Sequence, residues 1–275
     1  MSRIENRFSI LRQAGRKALI PFITAGDPTP EVTVPLLHEL VAAGADLLEL
    51  GVPFSDPMAD GPVIQRASER ALAHGVSLHD VLDMVTAFRA SDADTPVILM
   101  GYLNPIEVFG YQVFASAAAA AGVDGILTVD APPEEAAPLA EALHGVGIDP
   151  IFLLAPTSGP ERIERICALA SGFVYYVSTK GVTGAASLDL AEIAAKLDQI
   201  RAVTRLPLGV GFGISDAERA ATLAQVADAV IVGSALVRQI EVYPDDPRAA
   251  MAAMTELLGS MRTAIDAAAP QAVEA

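Results

Sequence analysis

Tryptophan is absent from this sequence of 275 residues, and cysteine occurs only once. Because Cys167 has no partner in the chain, the sequence predicts neither an internal disulfide nor a cysteine metal cluster. Basic residues are also scarce, since 18 Lys and Arg stand against 34 Asp and Glu, for a formal net charge of −16. Nucleic acids and anionic membranes are bound through clustered positive charge, so we expect neither as a partner.

The sequence has no continuous apolar run of about 20 residues, the length that crosses a bilayer as a helix. The best candidate, Val108 to Val123, is mostly alanine and is bounded by Glu107 and Asp124, which predicts a soluble helix. The N-terminal stretch carries charges and lacks the apolar segment and cleavage site of an export signal. With the single cysteine, these features predict a protein of the reducing cytoplasm.

Eight short apolar runs alternate with longer amphipathic stretches, a pattern typical of βα units around a parallel sheet. Their nearly continuous hydrophobicity is expected of strands covered on both faces. Eight repeats predict one closed (β/α)8 barrel, the TIM barrel, and favour it over an open doubly wound sheet, which would show fewer strands or a second domain. The predicted strands are Leu19–Thr24, Asp46–Gly51, Pro96–Tyr102, Gly125–Asp130, Pro150–Ala155, Gly172–Ser178, Leu206–Phe212 and Asp228–Gly233.

Two terminal segments lie outside this repeat. Ile4, Phe8 and Leu11 have the spacing of one helical face, which predicts an extra N-terminal helix that closes the bottom of the barrel. The barrel domain is expected to span residues 1–262. Residues 263–275 end in a low-complexity, alanine-rich stretch and predict a flexible, disordered tail.

Carboxylates near the carboxyl ends of the strands are the main catalytic candidates, because active sites of such barrels lie there. Glu49 lies between leucines in the second strand, where burial would raise its pKa toward the range useful for proton transfer. The alternative is a structural Glu paired with an arginine or capped by amides. Asp60 and Asp56 share the next loop; the sequence leaves open which of them faces the pocket, or whether Asp60 caps a helix. Asp27 and Asp130 fit helix caps better than catalysis.

Other chemistries lack their residues. None of the three lysines lies in a predicted strand, which disfavours a Schiff-base aldolase. The histidines form no metal-binding pair and lie away from strand ends, so a catalytic metal is not expected. Cys167 has no histidine near it in sequence, and no Gly-x-Ser-x-Gly turn is present. The residues concerned are Lys17, Lys180, Lys196, His38, His74, His79 and His144.

Glycines cluster after the last three predicted strands, where barrels of this type hold phosphate with backbone amides and a short helix. Ordinary turn geometry is the alternative explanation. Aromatic side chains also fall in or near the strands and favour a pocket for a planar ligand, although core packing explains any one of them. The glycines are Gly181, Gly184, Gly209, Gly211, Gly213 and Gly233, and the aromatic residues are Phe22, Tyr102, Tyr175 and Phe212.

Four motifs resemble those of the tryptophan synthase alpha chain family: PFITAGDP at 21–28, LELGVPFSDPMADGPVIQ at 48–65, SxxGVTG at 178–184 and GFGIS at 211–215. The resemblance covers about Arg7 to Ile240. It implies a barrel lyase that splits indole-3-glycerol phosphate into indole and glyceraldehyde 3-phosphate by a retro-aldol reaction, with no metal or cofactor in this chain. Two other phosphate-binding barrels of the same pathway, indole-glycerol-phosphate synthase and phosphoribosylanthranilate isomerase, are the nearest alternatives. They would need a catalytic lysine in a strand or a pair of cysteine and aspartate, and the predicted strand ends have neither.

The resemblance also implies roles for single residues. Glu49 matches the general acid/base, and Asp60 matches the carboxylate that faces the indole N–H. The alternative is a non-catalytic paralogue that keeps the barrel and only binds or activates a partner chain. Such a protein would have no reason to retain Glu49 and Asp60, so the presence of both carboxylates disfavours it. Thr183 matches a residue of a mobile loop that closes over the site. The phosphate contacts match Gly184, Gly213, Gly233 and Ser234, and the indole pocket matches Phe22, Met100, Tyr175 and Phe212.

The family works with a partner. The resemblance implies an α2β2 complex with a beta chain, which carries pyridoxal phosphate and joins indole to serine to make L-tryptophan. Indole would pass between the chains through an internal tunnel. Pro53, Asp56 and Asn104 match positions near the interface with that chain.

Overall fold

Eight parallel strands close into a barrel in the computed structural model, which describes residues 1–178, 189–211 and 213–268. Each strand pairs with the next along the chain, and β8 pairs with β1. This confirms the predicted TIM barrel and all eight apolar runs as strands. The strands are β1 Ala18–Thr24, β2 Leu48–Gly51, β3 Val97–Gly101, β4 Gly125–Thr128, β5 Asp149–Leu154, β6 Val174–Val177, β7 Leu208–Gly211 and β8 Ala229–Val232.

Twelve helices surround the strands or cover their ends in the described part of the chain. None of them is long and apolar enough to cross a membrane. The stretch 108–123 falls in two helices, because Gly110 has a φ of 86° between them. The helices are α1 Arg3–Gln13, α2 Pro30–Ala42, α3 Pro62–Ala73, α4 Leu78–Arg89, α5 Leu103–Phe109, α6 Tyr111–Ala121, α7 Ala137–Gly145, α8 Pro160–Leu169, α9 Leu190–Arg201, α10 Ala217–Ala224, α11 Ser234–Val242 and α12 Pro247–Ala268.

Helix α1 closes the amino-terminal end of the barrel, as the sequence predicts. Ser2 caps it by accepting the N–H of Glu5. Ile4, Phe8 and Leu11 are buried in one apolar cluster with residues from inside the barrel. The fit is tight: a Cβ atom on Gly125 of β4 would lie 3.0 Å from Cδ1 of Ile4. Helix α1 therefore fills the amino-terminal end of the barrel interior, opposite the carboxyl ends of the strands, where such barrels hold their active sites.

Helix α12 corrects the predicted C-terminal boundary. The sequence predicts disorder from residue 263, but the helix continues through Ala268. Ile265 is fully buried in the main core, and Asp266 accepts hydrogen bonds from Arg262 and Arg16. Burial of Ile265 and the long-range contact of Asp266 with Arg16 stabilise residues whose composition alone indicates disorder. Residues 269–275 lie outside the described residues.

Candidate active site

Glu49 lies inside the barrel. Its neighbours Leu48 and Leu50 belong to the core between strands and helices, whereas Leu47 belongs to the interior cluster. Side chains alternate along a strand, so Glu49, two residues after Leu47, also faces the interior. It is 1% exposed, and its Oε1 atom has no hydrogen-bond partner among the described residues.

This burial sets the protonation state of Glu49. Desolvation is the main cause, and the negative charge of Asp60 adds to it; together they raise the pKa of Glu49 to about 8. Ion pairing with an arginine, the alternative left open by the sequence, is not found in the described part of the chain. A pKa of about 8 keeps Glu49 mostly protonated at neutral pH.

Asp60 lies on the loop between β2 and α3, and Tyr102 holds its side chain. The hydroxyl of Tyr102 donates to Oδ2 of Asp60 at 2.9 Å, while the N–H of Ala59 donates to the same hydroxyl at 2.9 Å. Burial raises the pKa of Asp60, and the hydrogen bond from Tyr102 opposes that rise. The N-cap of α3 is Gly61 and not Asp60, so Asp60 is free of the capping role.

Asp56, the other carboxylate of this loop, is exposed and accepts the hydroxyl of Ser55 at 2.6 Å. The structure therefore resolves what the sequence leaves open: Asp60, and not Asp56, is the loop carboxylate beside Glu49. Of the other two residues matched to the partner interface, Pro53 is buried and Asn104 is exposed.

Phe22, Met100 and Tyr175 form apolar walls around the two carboxylates. Phe22 lies beside Glu49 in the sheet register. A Cβ atom on Gly51 would lie 2.6 Å from Cζ of Phe22, so glycine makes room for that ring. A small cavity is bounded by Phe22, Thr24, Gly51, Val52, Asp60, Ile64, Ser68, Met100, Gly101, Tyr102 and Val129.

Tyr175 reaches the site from β6. A Cβ atom on Gly211 would lie 2.1 Å from the Tyr175 hydroxyl, so the ring passes directly over that glycine. Burial raises the pKa of the Tyr175 phenol, and the charges of Glu49 and Asp60 raise it further. The phenol therefore stays neutral beside two acids.

The proposed phosphate end of the pocket lies at the start of α11. This is the short extra helix expected after the eighth strand, with Gly233 at its N-cap and exposed Ser234 as its first residue. The first N–H groups of a helix have no partner within it and favour an anion. Gly213 adopts a φ of 73°, in the left-handed region that favours glycine. Thr183, Gly184 and Phe212, the other matched residues, lie outside the described residues.

The two remaining strand-end acids behave differently from each other. Asp130 accepts the N–H of Leu103, the first residue of α5, so it binds a helix start, although not the one that follows its own strand. Asp27 is not a cap, contrary to the prediction. It is buried and forms an ion pair with Arg70, 43 residues away, which its sequence neighbours could not indicate.

Two residues take positions at the site that the sequence does not indicate. Tyr102 was expected only as a pocket aromatic, yet it orients Asp60. Thr24, the last residue of β1, has a buried hydroxyl with no hydrogen-bond partner among the described residues, and it lines the cavity. The position of Thr24 at the end of the first predicted strand is the sequence feature that could have indicated its place in the site.

The described residues contain no group of three or more His, Cys, Asp or Glu side chains that could hold a metal ion. Two larger cavities, of about 580 and 680 Å³, lie at the opposite end of the barrel beside α1. Because the chemistry of such barrels occurs at the carboxyl ends of the strands, the smaller cavity is the candidate site. Asp60 and Phe22 line it, and Phe22 lies beside Glu49 in the sheet. Around it the structure gathers a buried carboxyl group, a second carboxyl group held by Tyr102, and the apolar side chains of Phe22 and Met100.

Comparisons with known proteins agree with this geometry. The sequence profile of the tryptophan synthase alpha chain family matches residues 8–266. The tryptophan synthase alpha chain of Thioalkalivibrio sulfidiphilus is 66% identical over 266 residues, covering 97% of this chain and 100% of that protein. That of Nitrosococcus oceani is 64% identical, covering 97% and 98%. The crystal structure of tryptophan synthase subunit alpha from Legionella pneumophila superposes with a TM-score of 0.90 at 51% identity, covering 97% and 99%.

Proposed function

The chain belongs to the tryptophan synthase alpha chain family, whose reaction is the cleavage of indole-3-glycerol phosphate, and we propose that Glu49 and Asp60 carry out that reaction here. The observation that carries the proposal is the buried carboxyl of Glu49, whose Oε1 has no hydrogen-bond partner among the described residues, close enough to Asp60 for the charge of Asp60 to raise its pKa. Cleavage breaks the bond between indole C3 and the glycerol side chain. It requires a proton at C3, positive charge at the ring nitrogen, and removal of a proton from the adjacent hydroxyl.

Glu49 has the protonation state for the first step. With its pKa raised to about 8, it is mostly protonated at pH 7 and can deliver its proton to indole C3. The carboxylate that results is then the base for the side-chain hydroxyl. As that proton leaves, the carbon–carbon bond breaks, its electrons return to the ring, and the aldehyde forms. Glu49 ends the cycle protonated, so one group serves as acid and base.

Asp60 stabilises the charge that this proton transfer creates. Protonation at C3 makes the ring nitrogen cationic, and an ionised carboxylate at the N–H lowers the energy of that state. The hydrogen bond from Tyr102 favours the ionised form of Asp60 and fixes its direction. The charge of Asp60 in turn disfavours ionisation of Glu49. Tyr102 thus gives Asp60 a hydrogen bond that opposes its protonation, whereas Oε1 of Glu49 has no such partner among the described residues.

The substrate is held at both ends. We assign the indole ring to the walls formed by Phe22, Met100 and Tyr175. The phosphate is assigned to backbone N–H groups at Gly213, in the loop after β7, and at Gly233 and Ser234, at the start of α11. Such groups explain how an acidic chain binds an anion. Phe212, Gly184 and Thr183 complete the proposed binding residues and lie outside the described residues.

An alpha subunit of tryptophan synthase has a beta chain as its partner. We place this chain in an α2β2 complex in the cytoplasm, with Pro53, Asp56 and Asn104 near the interface. Pyridoxal phosphate belongs to the beta chain in this proposal, and the reaction of the alpha chain needs no cofactor. The barrel from Met1 through α12 acts as one catalytic domain.

The test is the formation of glyceraldehyde 3-phosphate from indole-3-glycerol phosphate, measured with and without a beta chain. Glu49→Gln should abolish product formation while substrate still binds, because glutamine preserves shape but cannot give up the proton. Asp60→Asn should lose about 100-fold or more. Asp56→Asn is the matched loop control and should keep cleavage by the chain alone. Turnover like that of the wild type in Glu49→Gln would refute the assignment.

A further inference from the structure

Four charged side chains connect α3 to α11 on one flank of the pocket. Arg66 donates two hydrogen bonds to Glu241, at 2.7 and 2.9 Å. Arg70 donates two to Asp27, at 2.6 and 2.9 Å, and its Nη1 lies 3.6 Å from Glu241. We call Asp27, Arg70, Glu241 and Arg66 the α3–α11 ion cluster. It holds two positive and two negative charges, so it is neutral as a unit.

Paired hydrogen bonds orient the side chains of this cluster, whose most exposed member, Arg66, is 49% exposed. Both arginines bind a carboxylate through two parallel hydrogen bonds, which fixes orientation as well as distance. The side chain of Asp27 is 0% exposed and that of Glu241 is 24% exposed. His74, at the end of α3, adds a contact of 3.0 Å from Nε2 to the carbonyl of Pro28, beside Asp27. Helix α3 is therefore tied to α11 and to the loop after β1.

The two helices that the cluster joins begin at the two ends of the proposed substrate site. Helix α3 starts at Pro62, directly after the Asp60 loop. Helix α11 starts at Ser234, one of the residues, with Gly213 and Gly233, whose N–H groups are proposed to bind the phosphate; we call these three residues the phosphate cradle. Their inner faces meet through Val63, Ala67 and Val237, in one apolar cluster with Phe22 of the pocket wall. The spacing of the two helix starts thus sets the distance between Asp60 and the phosphate cradle.

We propose that Glu241 and Arg66 are positioning residues that hold the Asp60 loop at the correct distance from the phosphate cradle. The inference rests on the proposed function, because it needs the substrate to be anchored at Ser234 and to react beside Asp60. A substrate fixed by its phosphate presents its indole ring at a distance that the protein must match. A misplacement of about 1 Å can cost a large factor in rate. The cluster acts through Asp60 and does not touch the substrate.

Glu241→Gln is the main test, because it removes the charge and keeps the shape of a partly exposed side chain. Glyceraldehyde 3-phosphate formation is measured with the chain alone and with the beta chain bound. We expect kcat to fall about tenfold. The inhibition constant of inorganic phosphate, which reports on the cradle alone, should stay within about twofold. Thermal unfolding of each variant verifies that the protein is folded at the assay temperature.

Two further variants sharpen the result. Glu134→Gln is the matched control, since it breaks an exposed pair with Arg165 at 2.8 Å outside α3 and α11, and it should leave kcat unchanged. Arg66→Gln breaks the same pair as Glu241→Gln from the other side. Because both remove one shared interaction, the double variant should be slower than the slower single variant by less than about twofold.

The outcomes separate the inference from the function on which it rests. A kcat for Glu241→Gln within twofold of the wild type overturns the inference. So does a fall in kcat with an equal loss of phosphate affinity, since the cluster would then shape the cradle and not the distance to Asp60. Asp60→Asn is measured in parallel. If that variant is fully active, the proposed function fails; if it is inactive while Glu241→Gln is normal, only the inference fails.

Discussion

Replacing Glu49 by glutamine should stabilise the folded barrel while it abolishes the reaction. The carboxyl of Glu49 has a pKa of about 8 in the folded chain, against a reference value of 4.5. Above pH 4.5 the unfolded chain releases this proton while the folded chain keeps it. The free energy of unfolding contributed by Glu49 therefore falls as the pH rises from 4.5 to 8. Glutamine resembles the protonated acid in shape and charge and does not titrate.

The size of the effect follows from the two pKa values. Each pKa unit corresponds to about 1.4 kcal/mol. Relative to the wild type, Glu49→Gln should thus gain about 1 kcal/mol at pH 5, about 3 kcal/mol at pH 7 and about 4 kcal/mol at pH 8. The gain levels off above the folded pKa, where both states of the wild-type chain are ionised. A catalytic acid kept protonated by burial is destabilising in this way at neutral pH.

The assay is urea unfolding of both proteins across this pH range, followed by circular dichroism. Asp56→Asn also removes one carboxylate from the chain, but at an exposed position, and it controls for the change in net charge. The difference between Glu49→Gln and the wild type should grow with pH, and that of the control should not follow it. A constant difference between pH 5 and pH 8 would refute the reasoning, because it would mean that folding does not change the pKa of Glu49.

Three further predictions concern activity. If protonated Glu49 is the acid, kcat/KM should fall about tenfold between pH 7 and pH 9, as the acid ionises near its pKa of about 8; a flat profile would exclude that role. Tyr102→Phe removes the hydrogen bond to Asp60, which should raise the pKa of Asp60 and lower kcat about tenfold, whereas unchanged kinetics would show that Asp60 is held by other groups. Gly51→Ala puts a Cβ atom within 2.6 Å of the Phe22 ring, so it should displace that ring, raise KM for the substrate and cost about 1–3 kcal/mol of stability; a normal KM would contradict the assigned indole wall.

The barrel could be predicted because its signal is local and repeated. Each strand is covered on both faces, so each reads as a short apolar run, and eight such runs with helices between them leave few other folds. The N-terminal helix was equally readable, since Ile4, Phe8 and Leu11 lie on one face. The end of α12 was not, because what stabilises it is burial of Ile265 and pairing of Asp266 with Arg16, 250 residues away. Composition reports nothing about such contacts.

The same division applies to the site. Glu49 was a candidate from the sequence because burying a carboxylate between leucines costs free energy, so such a residue is expected to be either functional or paired with another group. The residues alone left the choice between Asp60 and Asp56 open, since both lie in one irregular loop, and the family resemblance implied Asp60. In the structure Asp60 lines the cavity and binds Tyr102, whereas Asp56 is exposed. Residues such as Thr183 came from the family resemblance alone and remain predictions.

Asp27 shows why contacts between residues far apart in the sequence matter for this site. From its neighbours in sequence it resembles a helix cap, yet it is a buried anion whose partner, Arg70, lies on the helix that follows the Asp60 loop. Removal of Arg70 would leave that charge buried without its ion-pair partner, which typically costs about 3–5 kcal/mol. The loop after β1 and the helix after the Asp60 loop are therefore coupled by a contact that neither segment reveals alone. Because the proposed substrate site borders this flank of the barrel, we expect stability and catalytic geometry here to depend on the same ion pairs.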